Sequence, residues 1–218
     1  MKNPEYIIAG LFPVPIILIK FEQHGKYNFP AVAKKNTMPK DWKIPLNTTF
    51  PNITADDDFI SMEKAKELKT DISNNITSVF KEINISTNFT IIDFWYNIYH
   101  QNQGQERHDH MGPLYYYWCG IYYNKNVTPT VFCKGQGPHD VHRHQIPDNA
   151  SSELAEFFIP ETLVIVEDGD IILFPPYVEH FVTEQNGIDS DDKMRVTFSF
   201  NILNTDTSSL KELERRRK

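Results

Sequence analysis

The segment at residues 195–201, which reads Arg-Val-Thr-Phe-Ser-Phe-Asn, decides the fold because apolar and polar side chains alternate along it. Successive side chains of a β-strand point to opposite faces, so Val196, Phe198 and Phe200 share one face and the four polar residues share the other. Two interpretations fit this alternation. The polar face lies in water at the surface of an antiparallel sheet, or it lines the inside of a barrel.

Short runs rich in Ile, Val, Tyr, Phe and Trp recur from residue 90 onward and predict a mainly β protein. Many short strands separated by polar turns are typical of a sandwich or barrel. The predicted strands span residues 91–99, 114–124, 128–133, 161–166, 170–174, 178–183 and 194–202.

The segment before these strands predicts one helix and one strand. Apolar residues recur at three- and four-residue steps from Ser61 to Ile83, which predicts an amphipathic helix that covers a sheet. The apolar run at 6–19 is interrupted by Pro13 and Pro15 and has no small-residue cleavage site after it, so we expect a buried edge strand rather than a signal peptide. Residues 23–58 are polar and proline-rich, and we expect an irregular excursion over the surface.

Length and charge limit the classes of function. The chain has 218 residues, which suits one domain, and its net charge of -7 without a basic run disfavours nucleic acid as a partner. Cys119 and Cys133 are too few for a disulfide framework, so we expect reduced thiols in a cytoplasm. We also expect no membrane association. We expect a single domain at 1–218, with a core at 90–204 between an N-terminal part at 1–89 and a charged tail at 205–218.

His108, Asp109 and His110, together with the distant His180, are residue types that bind metals. A redox-active iron that also holds a co-substrate and oxygen needs three protein ligands on one face. Side chains two apart on a strand point the same way, so His108 and His110 can converge while Asp109 points away. A two-histidine, one-carboxylate triad would place a carboxylate at position 110. Either the site has three histidines, or His110 is a bystander and Asp109 or a water supplies an oxygen.

Arg195 follows His180 by fifteen residues. Its planar guanidinium can hold a carboxylate through two parallel hydrogen bonds, and Thr197 on the same strand face offers a hydroxyl to the same group. The alternative for Arg195 is a structural salt bridge with one of the many acidic residues. His180 itself ends a segment, 169–180, that reads as a tight turn, an apolar strand, a proline break and a histidine.

These motifs, in this order and spacing, resemble the 2-oxoglutarate and Fe(II)-dependent oxygenases, and among them a subgroup of small bacterial and phage proteins. The subgroup's first motif reads histidine, any residue, histidine, which suits His110. Five segments carry the resemblance: Leu11-Phe12-Pro13-Val14-Pro15-Ile16, Trp95-Tyr96-Asn97, His108-Asp109-His110 with Cys119-Gly120-Ile121-Tyr122-Tyr123, Gly169 to His180, and Arg195 to Asn201.

The resemblance implies a double-stranded β-helix, a cupin-like jelly-roll core with flanking helices. It also implies an enzyme that converts 2-oxoglutarate and O2 to succinate and CO2 while it hydroxylates a C–H bond of a peptide residue or small molecule. His108, His110 and His180 would then hold Fe(II), and Arg195 with Thr197 would bind the far carboxylate of 2-oxoglutarate. Asn97 and Tyr122 would contact 2-oxoglutarate from the facing strand. The cytoplasm, that of a host if the protein is phage-encoded, is the expected location.

Two other classes of protein fit the same residues. One is a cupin-like three-histidine metalloprotein that does not use 2-oxoglutarate, and the other is a metal-free jelly-roll interaction module of a virion. A second histidine cluster, His139, His142 and His144, lies among glycines and prolines, and we expect a flexible loop there. An exposed N-terminal strand edge could pair two copies into a homodimer.

Overall fold

The computed structural model describes residues 6–11, 14–30, 42–111, 116–126, 128–133, 161–186 and 194–206. His139, His142 and His144 lie outside these residues, as does the charged tail from residue 207 onward, so the expectations for them stay predictions. Within them, no helix has the length and hydrophobicity needed to cross a bilayer. Both cysteines, Cys119 and Cys133, are buried and carry free thiols.

Two antiparallel sheets form the core of the molecule. The larger has the strand order β1-β2-β9-β6-β11-β4-β3 and the smaller has the order β5-β10-β7-β8. This architecture confirms the predicted mainly β fold with a jelly-roll core. The strands are β1 Tyr6–Leu11, β2 Val14–Lys20, β3 Asn47–Thr48, β4 Phe89–Tyr99, β5 Gln105–His108, β6 Trp118–Lys125, β7 Val131–Cys133, β8 Glu161–Leu163, β9 Asp170–Phe174, β10 His180–Val182 and β11 Arg195–Asn204.

The apolar run at 6–19 forms two strands, so the prediction of a single edge strand was wrong. β1 ends at Leu11 and pairs antiparallel with β2, which begins at Val14 and pairs on its other side with β9. Of these two strands, only β1 therefore lies at an edge of the larger sheet.

The predicted helix is confirmed as α1, Met62–Glu82. Ser61 caps its first turn because its hydroxyl accepts a hydrogen bond from the Lys64 N–H at 3.2 Å. Leu68, Ile72 and the rest of the apolar stripe are buried against the outer face of the larger sheet. The helix therefore shields one face of that sheet from water.

β11 is buried on both faces. Phe198 and Phe200 lie in the apolar core beneath α1, whereas Arg195, Thr197 and Asn201 are buried on the opposite face. That opposite face looks toward the smaller sheet, because Ile121 and Phe174 of the larger sheet share a cluster there with Phe132 of the smaller. The interpretation that the polar face lies in water is wrong, and the interpretation that it lines the inside of the barrel is right.

Candidate metal centre

Three histidines converge where the smaller sheet meets the larger one. His108 ends β5 and pairs directly with His180, the first residue of the neighbouring β10. His110 follows two residues later, and its backbone N–H donates to the Pro176 carbonyl at 2.9 Å. The ring centroids are 4.3 Å apart for His108 and His180 and 5.2 Å for His110 and His180. One ligand nitrogen from each ring lies within 4.8 Å of the others.

Nδ1, the outer nitrogen of each ring, already has a hydrogen-bond partner. Nδ1 of His108 donates to the Glu106 carbonyl at 2.7 Å, and Nδ1 of His180 donates to the Val178 carbonyl at 3.0 Å. Nδ1 of His110 lies 2.7 Å from a side-chain oxygen, Oδ1 of Asn201. A carbonyl oxygen only accepts, so in each ring Nδ1 carries the proton and Nε2 keeps its lone pair. All three rings are thus in the tautomer that presents Nε2 to a metal.

Burial keeps these imidazoles neutral. Removal from water lowers the pKa of His108, and it lowers the pKa of His110 to about 4, with the neighbouring His108 adding to the shift. The pKa of His180 is lowered well below its usual value by its complete burial and by the other two rings. A metal binds the neutral imidazole, so at pH 7 no proton has to leave before binding.

Asp109 is not one of the converging side chains. It is exposed, and its Oδ1 accepts a hydrogen bond from the Met111 backbone N–H at 2.9 Å. Among the described residues, the group able to hold a metal consists of the three histidines without Asp109.

Arg195 lies on the inner face of β11 and is only 1% exposed. Its Nε donates to the Thr128 carbonyl at 2.9 Å and its Nη2 donates to the Thr130 hydroxyl at 2.8 Å. The guanidinium carbon lies 4.7 Å from the ring centroid of Tyr99. Nη1 is buried without a hydrogen-bond partner, and among the described residues no carboxylate pairs with this cation. The alternative interpretation of Arg195, a structural salt bridge, therefore has no acidic partner in the part of the chain that the structure describes.

Thr197 and Asn97 share the inner face with Arg195, and they are direct partners across β11 and β4. Both are 1% exposed. The Asn97 amide accepts from the Thr48 hydroxyl at 2.7 Å and lies 3.3 Å from the Ser199 hydroxyl, to which its Nδ2 donates. The structure thus places Thr197 and Asn97 on the same inner face of the larger sheet as Arg195.

Tyr122 does not lie with this group. Its ring packs against Phe21 and Phe198 beneath α1, and its hydroxyl lies 2.8 Å from Nδ1 of His24. The next residue, Tyr123, faces inward, with its ring centroid 5.5 Å from the guanidinium carbon of Arg195. Tyr122 pairs with Phe198 across β6 and β11, on the face beneath α1, whereas Tyr123 pairs with Thr197 on the inner face. The sequence-based choice of Tyr122 as a contact for 2-oxoglutarate therefore falls on the face that does not carry Arg195.

A polar connection that the sequence did not reveal joins the arginine to the histidines. The Tyr99 hydroxyl, next to Arg195, donates to Gln105 Oε1 at 2.7 Å. Gln105 Nε2 in turn lies 3.4 Å from Nε2 of His108. These residues lie in β4 and β5, and the period-two pattern from Asn97 would have pointed to Tyr99 as an inward residue.

A cavity of about 390 Å³ opens beside the histidines, and aromatic side chains form much of its wall. Trp42, Phe50, Trp95 and Tyr116 line it, and the Trp42 ring centroid lies 5.7 Å from that of His108. The Glu106 carboxylate accepts hydrogen bonds from the backbone N–H groups of Lys43 and Ile44, which fixes the segment that carries Trp42. The prediction that 23–58 only crosses the surface was wrong, because part of it forms this wall.

A jelly-roll core that holds three converging histidines and a buried arginine is the arrangement expected of a cupin-like oxygenase. A family model described as "Putative 2OG-Fe(II) oxygenase" matches residues 93–201, half of the chain. The chain belongs to this family, and it is an enzyme that depends on Fe(II) and 2-oxoglutarate. No curated protein matches the sequence.

Solved structures of the same kind share low identity with the chain. An oxidoreductase of the 2OG-Fe(II) oxygenase family from Burkholderia pseudomallei is 11% identical, with coverage of 92% of this chain and 73% of that one and a TM-score of 0.46. AviO1 from Streptomyces viridochromogenes is 12% identical, with coverage of 79% and 73% and a TM-score of 0.49. The epimerase SnoN, solved with Fe3+, alpha-ketoglutarate and nogalamycin RO, is 10% identical, with coverage of 92% and 68% and a TM-score of 0.44.

Proposed function

We propose that this oxygenase is a hydroxylase that acts on a C–H bond of a peptide residue or small molecule. In this proposal His108, His110 and His180 hold Fe(II), and Arg195, Thr197 and Asn97 bind the far carboxylate of 2-oxoglutarate. Bound Fe(II), together with 2-oxoglutarate and O2, supplies the oxidation, with release of succinate and CO2. The observation that carries the proposal is a buried arginine, without a counter-ion among the described residues, in the same interior as three converging imidazoles.

The histidines suit a metal because their rings need not rotate and their Nδ1 hydrogen bonds need not break for Nε2 to bind an ion. Each Nδ1 is held by an oxygen acceptor, and the three ligand nitrogens already lie within 4.8 Å of one another. Three neutral ligands leave the full charge of a divalent ion in place, which favours an anionic co-substrate at the remaining positions. Imidazole is a good ligand for iron, zinc and copper alike, so the histidines alone do not select the metal.

The arginine fits the far end of a dicarboxylate. A buried guanidinium that lacks a counter-ion is unfavourable, and its free Nη1 can be satisfied by a carboxylate oxygen. Nε and Nη2 are held by Thr128 and Thr130, so the group is oriented before any ligand arrives. An anion of two charged ends can thus be held at one end by the arginine and at the other by the metal.

The aromatic cavity beside the histidines is the proposed place for the substrate. Its apolar walls exclude water from the reacting group, which protects the oxidation from side reactions. Trp42 and Trp95 lie against the rings of His108 and His110, with centroid distances of 5.7 Å and 6.1 Å, so a bound C–H group would lie near the metal.

The cytoplasm is the proposed location, since the two buried thiols suit a reducing compartment. Pairing of two copies through the exposed edge of β1 is a further proposal, and sedimentation at micromolar concentration tests it.

The test measures binding and turnover separately. Protein purified without oxygen is titrated with Mn(II) and then with 2-oxoglutarate by calorimetry, and succinate is measured after addition of Fe(II), 2-oxoglutarate and air. We expect one metal and one 2-oxoglutarate per chain, with metal binding lost in His180→Ala. The matched control is His24→Ala, a histidine that contacts Tyr122 on the far side of the sheet.

The outcomes separate the three classes of protein. Metal binding without 2-oxoglutarate binding would identify a cupin-like metalloprotein that does not use this co-substrate. A lack of metal binding by the folded wild-type protein would identify a metal-free module. Succinate formation that rises when a pool of peptides or metabolites is added supports the hydroxylase.

A further inference from the structure

His110 differs from the other two histidines in what holds its outer nitrogen. Backbone carbonyls hold Nδ1 of His108 and His180, whereas a side chain, the amide of Asn201, holds Nδ1 of His110. A backbone carbonyl is fixed by the strand that carries it. A side-chain amide can rotate or flip, so something else must determine which of its atoms faces the histidine.

Asp93 determines the orientation of that amide. Nδ2 of Asn201 donates to Asp93 Oδ2 at 2.9 Å, and a carboxylate only accepts, so the amide nitrogen must face Asp93. The amide oxygen is then left to face Nδ1 of His110 at 2.7 Å. The Tyr116 hydroxyl donates to the same Asp93 oxygen at 3.1 Å, which fixes the carboxylate from a second side.

Strand pairing brings these two side chains together on the inner face. Asn201 and Asp93 are direct partners across β11 and β4, and the register shift of this pair of strands comes immediately after Asn201. Asn201 is 2% exposed, so water has little access to compete for its amide. The larger apolar cluster lies on the other face of both strands, so this cross-strand pair is not part of it.

We propose that Asp93 and Asn201 are positioning residues that set the tautomer and ring rotation of His110 as a metal ligand. The inference rests on the proposed function, because it takes His110 as a ligand. Asp93 orients the Asn201 amide, the amide oxygen accepts the Nδ1 proton of His110, and Nε2 is thereby aimed at the metal. Position 110 thus has a histidine in place of a carboxylate, and the carboxylate of Asp93 acts on that histidine through the Asn201 amide.

The experiment measures the affinity and the visible absorption spectrum of Co(II), a probe that reports ligand geometry without turnover. Removal of an outer partner of a metal ligand costs about 10–100-fold in metal affinity, and we expect a loss of this size for Asn201→Leu. Asp93→Asn, which keeps the shape of the side chain, should lose less because the amide of Asn201 can then adopt either orientation. Unfolding of each metal-free variant by urea shows whether the fold itself is intact.

A reciprocal exchange of the two side chains tests whether a hydrogen bond between Asp93 and Asn201 is what positions His110. Asn201→Asp alone places two carboxylates where a 2.9 Å hydrogen bond was, and it should weaken Co(II) binding. Asp93→Asn combined with Asn201→Asp restores one donor and one acceptor in reversed order, and it should recover affinity toward the wild-type value. A role confined to stability would not produce recovery of the Co(II) spectrum.

The control is Tyr96→Phe, which removes a hydrogen bond of 2.8 Å to Asp57 from the opposite face of β4 and should leave Co(II) binding unchanged. Folded Asn201→Leu and Asp93→Asn proteins with wild-type Co(II) affinity and spectrum would overturn the proposal. A double variant no better than either single variant would overturn it as well. A wild-type protein that does not bind Co(II) would instead refute the proposed metal centre.

Discussion

The two faces of β11 are buried to the same degree but differ in what they bury. Val196, Phe198 and Phe200 are fully buried beneath α1, where they contact apolar side chains. On the other face Arg195 and Asn201 are 1% and 2% exposed and contact polar groups, although one guanidinium nitrogen of Arg195 has no hydrogen-bond partner among the described residues. One strand therefore contributes to two interiors of different chemistry.

The difference indicates which face stabilises the protein and which face carries the groups of the proposed site. Burial of apolar surface contributes roughly 25 cal/mol per Å², so the face beneath α1 stabilises the fold directly. Burial of a cation without a counter-ion costs free energy, so a sequence selected for stability alone would not retain it. Substitutions at Phe198 and Arg195 test this contrast directly, and substitutions at His110 and Asp109 test the histidine cluster that the polar face supports.

Phe198→Ala should have the largest effect, on the apolar face. Loss of a buried phenyl ring costs about 3–5 kcal/mol, and we expect the free energy of unfolding in urea to fall by that amount. The neighbouring Ser199→Ala, on the polar face, removes one hydrogen bond of 3.3 Å and should cost about 1 kcal/mol. Equal losses for the two variants would contradict the contrast.

Arg195→Met should have the opposite profile. We expect 2-oxoglutarate to bind about 2–5 kcal/mol more weakly by calorimetry, because the carboxylate loses its cation. The metal-free protein should be as stable as the wild type or more stable, since an apolar side chain replaces a buried charge. Arg107→Met, at a half-exposed ion pair of 3.2 Å with Glu179, is the control and should leave 2-oxoglutarate affinity unchanged. A marked loss of stability in Arg195→Met would show that the arginine is structural.

His110→Asp should weaken metal binding without abolishing it. A carboxylate is also an iron and manganese ligand, so the affinity for Mn(II) should remain within about 100-fold of the wild-type value. His110→Ala leaves only two ligands and should bind less tightly than His110→Asp in the same titration. The reverse order would show that His110 is not a ligand.

Asp109→Ala should have the smallest effect. The side chain is exposed and contacts the Met111 backbone, so stability should change by less than about 0.5 kcal/mol and Mn(II) affinity should be unchanged. Loss of metal binding in this variant, with His110→Ala unaffected, would mean that the assignment of faces around residues 108–110 is wrong.

Much of this arrangement could be predicted from local patterns. The alternation along 195–201 identified the strand and its two faces, and the strand at 170–174 agrees with the prediction at both ends. The turn before it also agrees, because Gly169 has φ 91°, a conformation that glycine adopts without strain. Such features depend on side-chain period and turn chemistry, which a single sequence records.

The errors have a different origin, since they concern contacts between distant segments. The wall that contains Trp42 depends on Glu106, about sixty residues later, and no local pattern connects them. Which of Tyr122 and Tyr123 faces inward depends on the register in which β6 pairs with β11, which the sequence does not mark. The pairing of Asn201 with Asp93 likewise requires knowledge of which strands are neighbours.

The direct pairing of His108 with His180 has a consequence for the dynamics of the smaller sheet. Its strands are only three or four residues long, and such short elements open locally at low free energy. An ion held by both histidines would link β5 to β10 and stabilise the closed sheet by mass action. Amide hydrogen exchange in this sheet should therefore slow on addition of metal, whereas exchange in the strands beneath α1 should not change.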